Sequence, residues 1–252
     1  MIEEFSALMK KFAFIMLQEK GAIADTNILN NHIVIGSMET DRTPILIIHE
    51  ALSRFIVATK FCSCAAAGLI RTSQGIVVLV SCYLPDVQKP MDTFASAIMD
   101  LDSILQELFA EARLHRCMPK IIIGGDLNVE MTPALVVGPG TSGRGGSFDR
   151  ETLLLAWASK WSIEWRSTWQ LSDTDCTIQH LSSGKRYILD YILCSSDVTL
   201  QSSVVYDLDF ASDHRPLEVR AVLTTLTPKA DTKRRADTLE ELIGNTPKLL
   251  TF

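Results

Sequence analysis

The sequence predicts a layered α/β sandwich with substantial antiparallel pairing. Strand-like segments outnumber helical ones, and many follow one another with no helix between them. The 252 residues are 47% hydrophobic and 21% charged, enough apolar material for a large buried core. A doubly wound sheet would need a helix between most strands, and a disordered chain would be less apolar.

Residues 3–11 form a short amphipathic helix, with Phe5, Leu8, Met9 and Phe12 at helical spacing. Residues 12–17 are a buried strand, an unbroken apolar run that stops at Gln18. Apolar runs bounded by turn formers put further strands at 32–36, 45–49, 55–61, 65–71 and 76–83. From 91 to 114 the period becomes helical, with Phe94, Ile98, Leu101, Ile104, Leu105 and Leu108 on one face. A short buried strand at 120–124 follows, then a glycine-rich loop at 138–146 and a helix at 149–161. Trp157 and Trp161, four apart on that helix, read as core. Strands are expected at 165–168, 187–194, 204–206 and 217–225. Residues 227–237 lose apolar character and gain Lys229, Lys233, Arg234 and Arg235, with a short helix at 239–243 beyond. The organisation is therefore one domain over 1–226 and a basic linker or tail over 227–252.

The formal net charge of −6 excludes a globally basic nucleic-acid coat, so binding to phosphate has to be local or carried by a metal. No apolar run approaches the ~20 residues of a membrane span. The run after Lys10 and Lys11 is also too short for a signal-peptide core. The expectation is an intracellular protein with no membrane partner. The cysteines at 62, 64, 82, 117, 176 and 194 are scattered, and Cys62-Ser63-Cys64 is the only close pair. With no second pair at zinc spacing, they read as reduced, mostly buried thiols.

Reactive residue types stand where apolar strands end, which is where a rigid scaffold exposes them. Glu19 closes FAFIMLQE, and Tyr83 closes GIVVLVSCY ahead of Pro85. Asp126 and Asn128 close KIIIGGDLN, Asp190 interrupts RYILDYILC, and Asp213 and His214 sit in ASDHRP before the last strand. Taken singly, most have an ordinary reading: a solvated Glu, a turn at GGDLN, a core tyrosine, a cap at Ser-Asp-His. Asp190 differs, because the alternation Ile188, Asp190, Ile192 puts it on an apolar face, where a carboxylate needs a partner or a metal.

In this order LQE, CYLP, GGDLN, LDYIL and SDHRP resemble the metal-dependent endonuclease/exonuclease/phosphatase superfamily over about residues 3–222. Within it, the chain is most similar to exonuclease III-like apurinic endonucleases and to the endonuclease domains of LINE-type retrotransposons. The resemblance implies a four-layer sandwich: two mixed β-sheets packed face to face, helices outside, and one active site at the strand ends of a catalytic domain spanning 1–226. It implies Glu19 and Asp213 as ligands of Mg²⁺ or Mn²⁺, hard ions suited to oxygen. Asp126 would orient or deprotonate the attacking water or assist the leaving group. Asn128 would hydrogen-bond the phosphate and hold Asp126. His214, held by Asp190, would stabilise a non-bridging phosphate oxygen, and Tyr83 would donate to the phosphate. In-line attack on a phosphodiester needs that combination of a positioned water, charge neutralisation and a stabilised leaving oxygen.

The function so implied is a Mg-dependent phosphodiesterase that nicks DNA. The alternatives are a phosphatase, an RNA 3′-end nuclease or a catalytically impaired remnant. As a retrotransposon enzyme it would work in the nucleus beside a downstream reverse transcriptase, whose linker the basic tail resembles. Arg144 in the glycine-rich loop and Lys185 and Arg186 ahead of the Asp190 strand are candidate substrate contacts. In the family a central strand ending in Asn precedes the first helix. Here the helix at 3–11 comes first, and Asn27, Asn30 and Asn31 read as loop residues after Glu19. The expected sheet is therefore short of its first strand and left with unpaired edges.

Overall fold

A computed structural model of the chain describes residues 12–18, 32–37, 43–132, 147–169, 171, 175–179, 184–205, 214–223 and 248–251. The helices expected at 3–11 and 239–243, the linker at 227–237 and the loop at 138–146 lie outside the described residues.

The first sheet contains β1 (Phe14–Leu17), β2 (His32–Ile35), β3 (Ile45–His49), β12 (Val198–Val205), β13 (Leu217–Leu223) and β14 (Lys248–Thr251). Their order is β12-β13-β14-β1-β3-β2. The second sheet contains β4 (Ile56–Phe61), β5 (Ala65–Thr72), β6 (Gly75–Tyr83), β7 (Lys120–Asp126), β8 (Ile163–Glu164) and β11 (Asp190–Ser195), in the order β4-β5-β6-β7-β11-β8. A ribbon of β9 (Ile178–Gln179) and β10 (Arg186–Tyr187) stands apart from both. Each large sheet is mixed: β1 runs parallel to β14 and β6 parallel to β7, while the other pairs are antiparallel. The sandwich of two mixed sheets is the architecture that the sequence implies.

The two sheets meet through their apolar faces. A Cβ on Gly124 of β7 would come within 2.5 Å of Met16 Sδ on β1, so glycine permits the approach of the two layers there. Helix α1 (Met91–Leu114) covers the outer face of the second sheet and packs on β4, β5 and β6. Its buried residues, from Phe94 and Ala97 to Leu108 and Ala112, recur at helical spacing. Helix α2 (Phe148–Trp161) packs against α1 and β8. Covered on both sides, β5 and β6 read as near-continuous apolar runs instead of alternating ones.

Several elements differ from the sequence expectation. Residues 165–168 are not a strand: a two-residue strand ends at Glu164, and Ser167–Trp169 is a 3-10 turn. Side chains take over there as hydrogen-bond partners of the backbone. Ser167 Oγ accepts from the Ile192 amide at 3.0 Å, and Thr168 Oγ donates to the Trp165 carbonyl at 2.8 Å. The run at 187–194 breaks after Tyr187, so that β10 joins the ribbon while β11 joins the sheet. The strand at 204–206 is the far end of β12, which starts at Val198. The sheet is not short of a strand. Residues Lys248–Thr251 insert as β14 between β1 and β13, and Leu249 registers with both Phe14 and Val219.

Candidate active site

Three neighbouring strands bring chemistry to one row. On β6 and β7, which run parallel, Tyr83 registers with Asp126; on β7 and β11, antiparallel, Asp190 registers with the same Asp126. Residues registered across adjacent strands share a face, so the phenol and the two carboxylates lie side by side. Asp126 is 2% exposed and Asp190 1%. Two carboxylates so deeply buried require partners.

Asp126 finds them in Asn128. The Asn128 amide donates to Asp126 Oδ1 at 2.8 Å and its Nδ2 donates to Oδ2 at 2.9 Å. The second Nδ2 hydrogen goes to the Leu84 carbonyl at 2.8 Å. Reaching both oxygens requires Asn128 to fold back in the left-handed region, at φ 51°, which asparagine tolerates better than most residues. Gly125, at φ 152°, solves a related problem: a Cβ there would fall on the Cys82 carbonyl oxygen of the neighbouring strand. The dipeptide before Asp126 is therefore glycine for steric reasons at both positions.

Asp190 holds His214. Nδ1 of His214 lies 3.1 Å and 3.3 Å from the two oxygens of Asp190, the geometry of an N–H donated to a carboxylate. Nε2, on the other side of the ring, faces Asp126 Oδ2 at 3.9 Å. The imidazole thus stands between the two carboxylates with its second nitrogen turned toward Asp126.

The support of this cluster comes from residues that the sequence does not single out. Thr177 Oγ accepts the amides of Leu189 and Asp190 at 3.0 Å and 3.1 Å, which fixes the break between β10 and β11. The Thr177 carbonyl accepts the Arg215 amide at 2.7 Å, and Ile178 bridges to His214. One threonine therefore ties the Asp190 strand to the His214 segment. The hydroxyl of Tyr191, fully buried, lies 3.1 Å from the Val129 carbonyl and accepts the Met131 amide at 3.2 Å, steadying the loop after Asn128. Burial pushes that phenol well above its usual range. Arg150 donates to the carbonyls of Pro85 and Lys89, both at 2.6 Å, and braces the loop after Tyr83. None of these roles has a sequence signature, because each satisfies backbone groups whose positions depend on the fold.

Lys185 and Arg186 are exposed at the start of the ribbon. Arg186 registers with Gln179, whose side-chain oxygen accepts from Arg215 Nη2 at 2.7 Å. The ribbon that bridges to His214 thus carries Arg186 on its second strand, with Lys185 just before it. Glu19, Asp213 and Arg144 lie outside the described residues. Of their sequence neighbours, His214 follows Asp213 and is held by Asp190, and Gln18 donates to Ser81 Oγ at 3.0 Å, two residues before Tyr83.

A divalent cation suits the charge balance here. Two buried carboxylates face one imidazole, which leaves net negative charge even with the ring protonated. Among the described residues, no group of three His, Cys, Asp or Glu is arranged to hold an ion. Both oxygens of Asp126 accept from Asn128, and Asp190 accepts from His214. Further oxygen ligands would therefore have to come from residues such as Glu19 and Asp213.

A profile of the Endonuclease/Exonuclease/phosphatase family matches residues 5–214. No curated protein matches the chain. Solved structures of similar fold include the endonuclease domain of TRAS1, a telomere-specific non-LTR retrotransposon, at TM-score 0.57 and 15% identity over 90% of this chain and 92% of that one. The AP endonuclease LMAP from Leishmania major aligns at 0.58 and 13%, over 86% and 80%. The 3′ phosphatase NExo from Neisseria, bound to a product DNA hairpin, aligns at 0.58 and 13%, over 88% and 94%. At these identities the likeness is one of fold.

Proposed function

Because the chain belongs to the endonuclease/exonuclease/phosphatase family, whose members hydrolyse phosphodiesters or phosphate esters and generally use divalent metals, we propose that it is a Mg²⁺- or Mn²⁺-dependent phosphodiesterase that nicks DNA. The observation that carries the reading is His214 set between Asp190 and Asp126, one ring nitrogen held and the other turned to the reacting side.

In this reading Asp126 orients a water and takes its proton at a carboxylate oxygen. Asn128 keeps Asp126 in place; both hydrogens of its amide are engaged by Asp126 and Leu84, so its part is positioning more than phosphate contact. His214 Nε2 donates to a non-bridging phosphate oxygen as charge grows there, and Asp190 fixes the ring and its tautomer. Tyr83 donates its phenol proton to the phosphate from the neighbouring strand. Glu19 and Asp213 would hold the metal, which would neutralise phosphate charge. Arg144, Lys185 and Arg186 contact the DNA backbone. The similar folds of a retrotransposon endonuclease and an AP endonuclease support DNA as substrate. As a retrotransposon-type enzyme it would work in the nucleus with a reverse transcriptase as partner, although the basic residues 229–235 lead in the chain to β14 of the same sheet.

The test offers the protein supercoiled plasmid, an abasic duplex and a 3′-phosphorylated duplex, each with Mg²⁺, Mn²⁺ or EDTA. The expected result is nicked circles with either metal and none with EDTA. Release of inorganic phosphate from the 3′ end with the plasmid left intact would move the reading to a phosphatase.

A further inference from the structure

One reactive cluster stands outside the catalytic row. Cys62 and Cys64 flank the turn between β4 and β5, with their sulfurs 3.5 Å apart. We propose that they form a reversible thiol–disulfide site, closed by oxidised glutathione or a similar small disulfide, and that its closure loosens the strand end carrying Tyr83. The inference does not depend on the phosphodiesterase reading, since it concerns sulfur chemistry and a backbone hydrogen bond.

The geometry supplies each requirement. Closure to the ~2.05 Å of a disulfide requires the two sulfurs to approach by about 1.5 Å, within reach of two short side chains. The turn between them is already drawn together, because the Cys62 amide donates to the Ala65 carbonyl at 2.8 Å. Cys62 is half-buried and offers a point of entry. Cys64 is buried but lines a cavity of about 300 Å³, shared with Tyr83, Lys89 and Thr93.

The two thiols are unequal in the way that sequential attack needs. The hydrogen bond with Cys64 lowers the Cys62 thiol to about 7, against the opposing effect of partial burial. The same hydrogen bond, and burial, push Cys64 far up. Cys62 thiolate therefore attacks one sulfur of the oxidised glutathione, forming a mixed disulfide and releasing one glutathione thiolate, which takes up a proton. Capping removes the thiolate that held the Cys64 proton. Cys64 then gives up that proton and attacks Cys62 Sγ, and the second glutathione leaves. Two protein thiols and one small disulfide become one protein disulfide and two small thiols.

The consequence reaches the row of site residues by two links. The Cys64 carbonyl accepts the Tyr83 amide at 3.0 Å. When its proton is not turned to Cys62, the Cys64 thiol donates to the Ala97 carbonyl on α1 at 3.3 Å, and a disulfide sulfur has no proton to donate. Oxidation thus moves the backbone that anchors Tyr83 and releases the turn from the helix.

The test incubates the full chain with oxidised glutathione, digests it without reduction, and reads the cysteine peptides by mass spectrometry and the Tyr83 amide by hydrogen exchange. The expected product is an internal Cys62–Cys64 disulfide, with Tyr83 exchange about tenfold faster and restored by dithiothreitol. Cys64→Ser should stop at a stable glutathione adduct on Cys62, and Cys62→Ser should leave Cys64 unmodified. A wild-type protein that stops at the mixed disulfide, or that reacts at Cys117 and not at Cys62, would overturn the site. A disulfide that forms with unchanged Tyr83 exchange would overturn the coupling.

Discussion

Asp126 has both oxygens occupied by one neighbour, so the integrity of the site hangs on Asn128. Asn128→Ala removes the Nδ2 hydrogen bonds to Asp126 Oδ2 and to the Leu84 carbonyl; the expected cost is about 1–3 kcal/mol in urea unfolding and a fall of about tenfold or more in hydrolysis. Asp190→Asn keeps the shape but removes the charge that His214 faces, and kcat should drop about a hundredfold with KM little changed. Gly125→Ala is the harshest small change, because the new Cβ meets the Cys82 carbonyl on a backbone at φ 152°. It should lower stability by more than about 3 kcal/mol, read as lost soluble yield or a collapsed melting temperature. At this scale much was legible. Asp190 announced itself by standing on an apolar face, and GGDLN by ending an apolar strand. Thr177 and Tyr191 did not, because a hydroxyl that satisfies backbone amides acquires its role only once the chain has brought distant segments together.

At the scale of elements, periodicity located what packs and missed what is held by exceptions. Helix α1 shows its buried face in the spacing of Phe94, Leu101 and Leu108, and β5 and β6 declare themselves as apolar runs. Residues 165–168 carry strand-forming side chains around Trp165, but Thr168 bonds the Trp165 carbonyl and Ser167 the Ile192 amide, and the chain turns at Ser167–Trp169 instead. Nothing in KLLT distinguishes β14 from a tail, since four residues carry too little pattern and the pairing partners lie far away in sequence. Yet β14 joins β1, the strand that precedes Glu19, to β13, the one that follows His214. Deleting Lys248–Thr251 unpairs both neighbours. The expected loss is roughly 3–5 kcal/mol, or about 10 °C in melting temperature by calorimetry; an unchanged transition would show that the strand adds nothing to the sheet.

For the whole molecule, the density of adjacent strands pointed to a sandwich, and the order of five short motifs pointed to the family that matches residues 5–214. Charge works against DNA at long range, since the chain carries −6 overall. Binding must then rest on local cations, and on any metal held at the site. Replacing Lys185 and Arg186 by alanine should raise KM for plasmid and reduce the slope of log K against log salt by about 2, one for each lost phosphate contact. Among the described residues no helix is long and apolar enough to cross a membrane.

Whether Asp126 and His214 act on one phosphodiester is decided by nicking of supercoiled plasmid by the wild type, Asp126→Ala and His214→Ala. The expected result is metal-dependent nicking by the wild type and a loss of at least about a hundredfold in each variant, with circular dichroism unchanged. Nicking that survives in both folded variants would place the chemistry elsewhere on the molecule.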